Sequence, residues 1–291
     1  MLSNLVVATD GSEASDRMIG CLDGLRRVGS TRAVLTHVFN VHHVGGLYES
    51  LKAAMAPRLE QQRTLLSSAG FNVTVETPLG IPFYEINTIA NRSDASLVVV
   101  GSLGESLIGE MLLGSTAQAV LQHAERPVLL IRLEITEPDE QGRRCRAACE
   151  NLFDHVLFPT DFSDTADRAF LFLEHITREV TPEITLLHVQ DRTRLHPHLS
   201  ERVEEFNAID QDRLARMQKR LQDFGASKVH TEVAYGVPTE IILDRARSSG
   251  PSLIVMGSQG RGVFQEVLLG SVANHLARLA PLPILFAPRV Q

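Results

Sequence analysis

The sequence predicts an α/β protein built from two tandem, doubly wound domains, each carrying a five-stranded parallel sheet. Three observations predict it. Short apolar runs alternate with segments of helical periodicity, the whole pattern is written twice, and 44% of the 291 residues are hydrophobic against 22% charged. That apolar content suits about two globular domains of ordinary size.

Taken in order, the first copy has buried-type strand runs near residues 4–9, 32–39, 72–77, 97–101 and 128–132. Strands that alternate with helices and read as continuous apolar runs belong to a parallel sheet covered on both faces. The second copy repeats all five. Leu5–Asp10 recurs as Val156–Asp161 and Leu35–Val38 as Leu186–Val189, both 151 residues later. Gly80–Pro82 then recurs as Gly236–Pro238, Val98–Ser102 as Ile254–Ser258 and Leu112–Ser115 as Leu268–Ser271, each 156 residues later, so copy two gains five residues after its second strand. In that region Val203, Phe206, Ile209, Leu214, Met217, Leu221 and Phe224 recur at helical spacing, with Gly225 placed to end the helix. The spacing predicts a core-facing amphipathic helix. Glu134 to Asn151, with Pro138, Gly142 and mixed charges, reads as a linker. The expected division is a first domain at 1–134, a linker at 135–151 and a second domain at 152–291.

The pattern that carries chemistry is G-x2-G-x9-G-S directly after the fourth strand. It falls on Gly101, Gly104, Gly114 and Ser115, and again on Gly257, Gly260, Gly270 and Ser271. Glycines there allow a sharp turn and bring backbone N–H groups against an anion without a Cβ between them. The closing Gly-Ser opens the next helix, whose unpaired N–H groups and positive dipole end favour phosphate. The same glycines also serve tight turns and close helix packing. Arg261 follows Gly260 and offers charge-assisted hydrogen bonds to a phosphate, or is a solvated loop residue. Its counterpart in copy one is Glu105, a like charge to the ligand. The second loop is therefore expected to bind more tightly.

Asp10 and Asp161 end the first strand of each copy, at the carboxyl edge where such sheets open a ligand crevice. A carboxylate there accepts from ribose hydroxyls or holds Mg²⁺ through water, or else caps a turn or helix. Val38 and Val189 present backbone groups suited to an adenine edge, and read equally as core residues. His37 and His188 precede them and are expected to be inward strand histidines with satisfied rings. His42, His43, His196 and His198 lack a carboxylate or thiol spacing that would complete a metal site.

Composition excludes several classes. A net charge of −7 argues against general nucleic-acid affinity, which needs clustered cations. No apolar run reaches the roughly 18 to 20 residues of a membrane span, and the first residues lack a basic leader segment, so a cytoplasmic location is expected. Three cysteines are too few for a disulfide framework. Cys145 and Cys149 read as two small thiols in the linker, with a redox pair or half a metal site as the alternatives.

These residues together resemble the universal stress protein family, in its ATP-binding branch and tandem two-domain form, across nearly the whole chain apart from the linker. The resemblance implies a Rossmann-like fold of the adenine nucleotide alpha hydrolase type. It implies ATP as ligand, with Mg²⁺, through Thr160, Asp161, Val189, Gly257, Gly260, Gly270 and Ser271. The equivalent set in copy one is Thr9, Asp10, Val38, Gly101, Gly104, Gly114 and Ser115, with Glu105 the departure from the family pattern. It further implies an intramolecular pseudo-dimer through Val128–Arg132 and Ile284–Ala287; a homodimer of the whole chain and a protein partner that reads the nucleotide state are further expectations.

The expected function is a nucleotide-dependent stress sensor rather than an enzyme. Neither G-x4-G-K-[S/T] nor a kinase H-R-D set occurs, and no Lys follows the loops. A slow ATPase or phosphoryl-transfer enzyme, a scaffold that binds no nucleotide, and a flavin-binding cousin are the alternatives.

Overall fold

The computed structural model describes residues 2–103, 113–135, 145–147, 149, 151–191, 203–226, 228–248, 250–261 and 269–289. The chain divides into two compact units, Met1–Glu150 and Asn151–Arg289.

Unit 1 opens with β1 (Asn4–Ala8), α1 (Glu13–Ile19) and β2 (Arg32–Thr36). A short β3 (Phe39–Asn40) and α2 (Val41–Val44) lead to the long α3 (Tyr48–Ser68). Then follow β4 (Asn72–Glu76), β5 (Leu79–Gly80), α4 (Pro82–Arg92), β6 (Leu97–Gly101), α5 (Ser115–Gln122) and β7 (Val128–Ile131). The main sheet is parallel throughout, in the order β7-β6-β1-β2-β4, with Val6 opposite both Val34 and Val98.

Unit 2 repeats this plan. Its elements are β10 (His155–Thr160), α6 (Asp164–Val180), β11 (Glu183–Asp191), α7 (Val203–Asp223), β12 (Val229–Gly236), α8 (Pro238–Arg247), β13 (Leu253–Gly257), α9 (Ser271–Leu279) and β14 (Ile284–Ala287). The parallel order is β14-β13-β10-β11-β12. In both units the first strand is central, and the chain moves outward on one side before returning to the other. Right-handed crossovers then put α6 and α7 on one face of the unit 2 sheet and α8 and α9 on the other.

Burial follows from that layering. Val156, Leu157 and Phe158 of the central β10 are fully buried, as are Leu5, Val6 and Val7 of β1, because helices cover both faces. The edge strand β4 is half exposed, which is why its sequence mixes Asn, Thr and Glu with Val. Helix starts obey local chemistry. Ser12 and Ser163 cap α1 and α6 by accepting from the amides of Ser15 and Ala166, and α4 and α8 begin with Pro82 and Pro238. The helix predicted between the second and third strands of copy two is α7, and Gly225 beyond its end sits at φ +100°.

The cysteine expectation is corrected. Cys149 is bonded to Cys21 across 128 residues, rather than remaining a linker thiol or pairing with Cys145. Within the segment expected as a linker, β8 (Leu133–Ile135) pairs antiparallel with β9 (Cys145–Ala147), placing Ile135 opposite Cys145. A spacing argument sees only neighbours in sequence, whereas Cys21 meets Cys149 because both lie at the end of α1 in the folded unit. Among the described residues, no helix is long and apolar enough to cross a membrane.

Candidate functional site

The crevice of unit 2 arises where strands of unequal length end. β10 stops at Thr160, opposite His188, while β11 and β12 run on in register to Asp191 and Gly236. On the other side of β10, β13 ends at Gly257. Between these ends lies a cavity of about 770 Å³, lined by groups from β10, β11, α7 and the loop leading into α9. It is the switch point at which doubly wound sheets hold ligands.

All eight residues predicted from the sequence for copy two meet there: Thr160, Asp161, Val189, Gly257, Gly260, Arg261, Gly270 and Ser271 line the cavity. Each glycine has a steric reason. A Cβ at Gly260 would stand 2.7 Å from Asp161 Oδ2, and one at Gly270 would stand 3.2 Å from Gln259 Cα. At Gly257 it would meet the backbone of Thr165 and Ala166 at 2.8 and 2.9 Å, so that glycine also lets β13 approach the start of α6. Gly270 is the N-cap of α9 and supplies no side chain to bond the amides of the first turn. Those amides and the positive end of the helix therefore face the cavity beside Ser271, Val272 and Ala273.

The carboxylate of Asp161 ties two loops together. Its Oδ1 accepts from the Ser163 amide at 3.1 Å and its Oδ2 from the Arg261 amide at 2.9 Å. Thr160 Oγ1 accepts from the Phe162 amide at 3.0 Å, and the Thr160 carbonyl accepts from His188 Nδ1 at 2.7 Å. His188 is thus the inward histidine expected, as is His37, whose Nδ1 lies 3.0 Å from the Thr9 carbonyl.

Four contributors were not foreseen. Asp210 of α7 is buried 3.3 Å from His188 Nε2 and accepts from Gln190 Nε2 at 2.9 Å. Gln190 Oε1 is buried with no hydrogen-bond partner among the described residues. Phe162 sits at φ +57° with its ring 4.6 Å from that of His188, and the guanidinium carbons of Arg213 and Arg261 lie 5.1 and 5.8 Å from its centroid. The helical period assigns the apolar face of α7, Phe206 and Ile209 included, to the core. Leu214 and Leu221 are there, but Ile209 is 44% exposed and lines the cavity with Phe206, Asp210 and Arg213. The polar residues between the apolar ones were the signal for this, since α7 overhangs the crevice with its N-terminal half.

In unit 1 the matching turn is covered by its own helix. Asp10 Oδ1 accepts from the Ser12 amide at 3.0 Å and from the hydroxyls of Ser12 and Ser15 at 2.6 Å each. Thr9 Oγ1 donates to Gln62 Oε1 at 2.7 Å, and Arg58 of α3 donates to the Gly11 carbonyl at 2.7 Å and to Asp16 at 2.6 Å. Met55 Sδ stands 2.7 Å from where a Gly11 Cβ would be. Val38 is half-buried just past β2, Gly101 ends β6, and Gly114 caps α5, whose first residue is Ser115. Gly104 and Glu105 lie outside the described residues, as do His196 and His198. Among the described residues no cluster of three or more His, Cys, Asp or Glu has the arrangement of a metal site.

Comparison with known proteins agrees with this architecture. The model of the universal stress protein family matches residues 1–132 and 152–288. A universal stress protein of Mycolicibacterium smegmatis is 32% identical over 219 residues, covering 73% of this chain and 68% of that protein. One from Methanocaldococcus jannaschii is 30% identical over 157 residues, covering 47% of this chain and 96% of its own length. The crystal structure of a universal stress protein from Archaeoglobus fulgidus superimposes with a TM-score of 0.76 over 99% of both chains, at 23% identity, a likeness of fold.

Proposed function

Because the chain belongs to the universal stress protein family, we propose that unit 2 binds ATP and that nucleotide occupancy, rather than turnover, is its working signal. The observation that supports this most directly is the convergence in one cavity of the glycine loop, the uncapped start of α9, Asp161 and Arg261. The amides of α9 and the Arg261 side chain suit the phosphates. The β11 backbone at Val189, running past the end of β10, suits the base. Asp161 already accepts two amides, so Mg²⁺ would arrive with the phosphates and keep water as most of its shell.

A ligand that bridges the loop after β13 and the turn after β10 engages the same segments that the Asp161 to Arg261 contact ties. Binding one arrangement of those loops better than another shifts their populations, which is what a partner protein would read. Unit 1 is the weaker site in this proposal, because Met55, Arg58 and Gln62 already engage its turn.

Titration calorimetry with Mg-ATP on the wild type and on Gly270→Asp tests the reading. Aspartate is a favourable N-cap and its charge opposes the phosphates, but its Cβ would stand 3.2 Å from Gln259 Cα, so the thermal midpoint of Gly270→Asp is measured beside the titration to show that the unit stays folded. The expected result is an affinity loss of about 100-fold, roughly 2.7 kcal/mol. Equal heats from both proteins, or none from the wild type, would falsify it.

A further inference from the structure

We propose that Arg213 is a phosphate-binding residue of unit 2, and that Phe162 positions it beside Arg261; this rests on the nucleotide reading above. The two guanidinium groups come from different elements, α7 and the loop after β13, yet both lie over one ring at cation–π distance and both line the cavity. A guanidinium held over a ring by cation–π attraction spends no hydrogen bond on that contact, so its N–H donors stay available to acceptors such as phosphate oxygens. Among the described residues the nearest carboxylate to Arg213 is Asp210 Oδ1 at 3.9 Å, well beyond the length of a charge-assisted hydrogen bond. Asp161, Asp191 and Asp210 also line the cavity, so the two arginines supply the positive charge that lets an anion enter.

Phe162 is the unusual member. A bulky side chain at φ +57° is strained, and it persists here because the Thr160 hydroxyl holds its amide and His188 holds its ring. The counterpart in unit 1 is Gly11 at φ +76°, where the same backbone costs little. Arg58 and Arg213 occupy equivalent helix positions: the buried pairs Leu59 with Leu214 and Leu66 with Leu221 have the same 155-residue offset. With no ring on Gly11, Arg58 reaches the Gly11 carbonyl and Asp16 and closes its own turn. With the Phe162 ring in the way, Arg213 stays at the cavity mouth. One side chain thus decides whether the helix arginine serves the fold or a ligand.

The test compares adenosine, AMP and ATP by calorimetry on the wild type, Arg213→Ala, Arg213→Lys and Phe162→Gly. ATP affinity should fall about ten-fold or more in Arg213→Ala, stay low in Arg213→Lys, which lacks the planar bidentate fork, and fall in Phe162→Gly, while adenosine changes by less than about two-fold throughout. Phe162→Gly relieves the backbone strain, so its loss of ATP affinity would not trace to misfolding, and Arg213→Ala removes a half-exposed side chain whose nearest carboxylate among the described residues is 3.9 Å away. ATP affinity unchanged in Arg213→Ala, or equal losses for adenosine and ATP, overturns the role of Arg213. No ATP binding by the wild type overturns the nucleotide reading instead.

Discussion

The turn after the first strand is built twice, and the two versions use their neighbours oppositely. In unit 1, α3 lies on the turn: Arg58, Gln62 and Met55 reach Gly11, Thr9 and Asp16. In unit 2 the same stretch of α7 carries Asp210, Arg213 and Met217, and the turn residue is Phe162, so a cavity of about 770 Å³ stands open above the strand ends. Duplicated backbone does not entail duplicated chemistry. Polar side chains at the same positions can satisfy the protein itself or be held for something else.

The contrast can be broken most forcefully at a bond that only unit 1 has. Removing the Cys21–Cys149 link with Cys149→Ser should destabilise oxidised unit 1 by about 2–4 kcal/mol, because the disulfide restricts the unfolded chain. Hydrogen exchange should quicken in β1 and α1 and stay unchanged in β10 and α6. Equal protection in the two proteins would deny the bond a structural role.

A smaller effect should separate the two arginines. Arg58→Ala removes a carbonyl contact and a part-exposed ion pair, and should cost unit 1 about 1–2 kcal/mol after discounting for solvent. Arg213→Ala should change stability by less than about 1 kcal/mol, the scale of a part-exposed cation–π contact. Denaturant midpoints measure both, and a reversed order of the two costs would contradict the assignment of Arg58 to the fold and Arg213 to the ligand.

The smallest expected difference depends on pH. Burial holds His155 below the ordinary imidazole value of 6.5, with nearby Glu183 acting in the opposite sense. The folded unit therefore favours the neutral ring. Unfolded chain binds more protons in the window below about pH 6.5, so stability falls as pH drops through that window toward the lowered native value. Asn4 holds the equivalent place in unit 1 and does not titrate, although its amide makes the same contact, to Ser96 where His155 uses Ser252. His155→Asn should flatten the pH dependence of unit 2 without altering unit 1, and a slope unaffected by that change would move its origin elsewhere.

Much of this architecture was legible beforehand. The strands near 97–101 and 128–132 appear as Leu97–Gly101 and Val128–Ile131, since a strand buried on both faces has to be written as an apolar run. The loop glycines were legible too, since a backbone that must approach Asp161 or Gln259 leaves no space for a Cβ. Phe162, Gln190, Asp210 and Arg213 were not. Each looked ordinary in its own segment: a turn residue, a strand residue and two helix polars.

The sequence by itself determined the duplication, the order of strands and helices in each copy, and the position of the glycine loop after the fourth strand. These depend on local periodicity and on steric limits that each segment carries alone. Only the tertiary structure decided that Cys21 meets Cys149, that α7 overhangs the crevice, and that Arg213 lies over the Phe162 ring while Arg58 closes on Gly11. Those outcomes follow from which side chains packing brings together across tens of residues, and the period of a segment records that it is buried without recording against what.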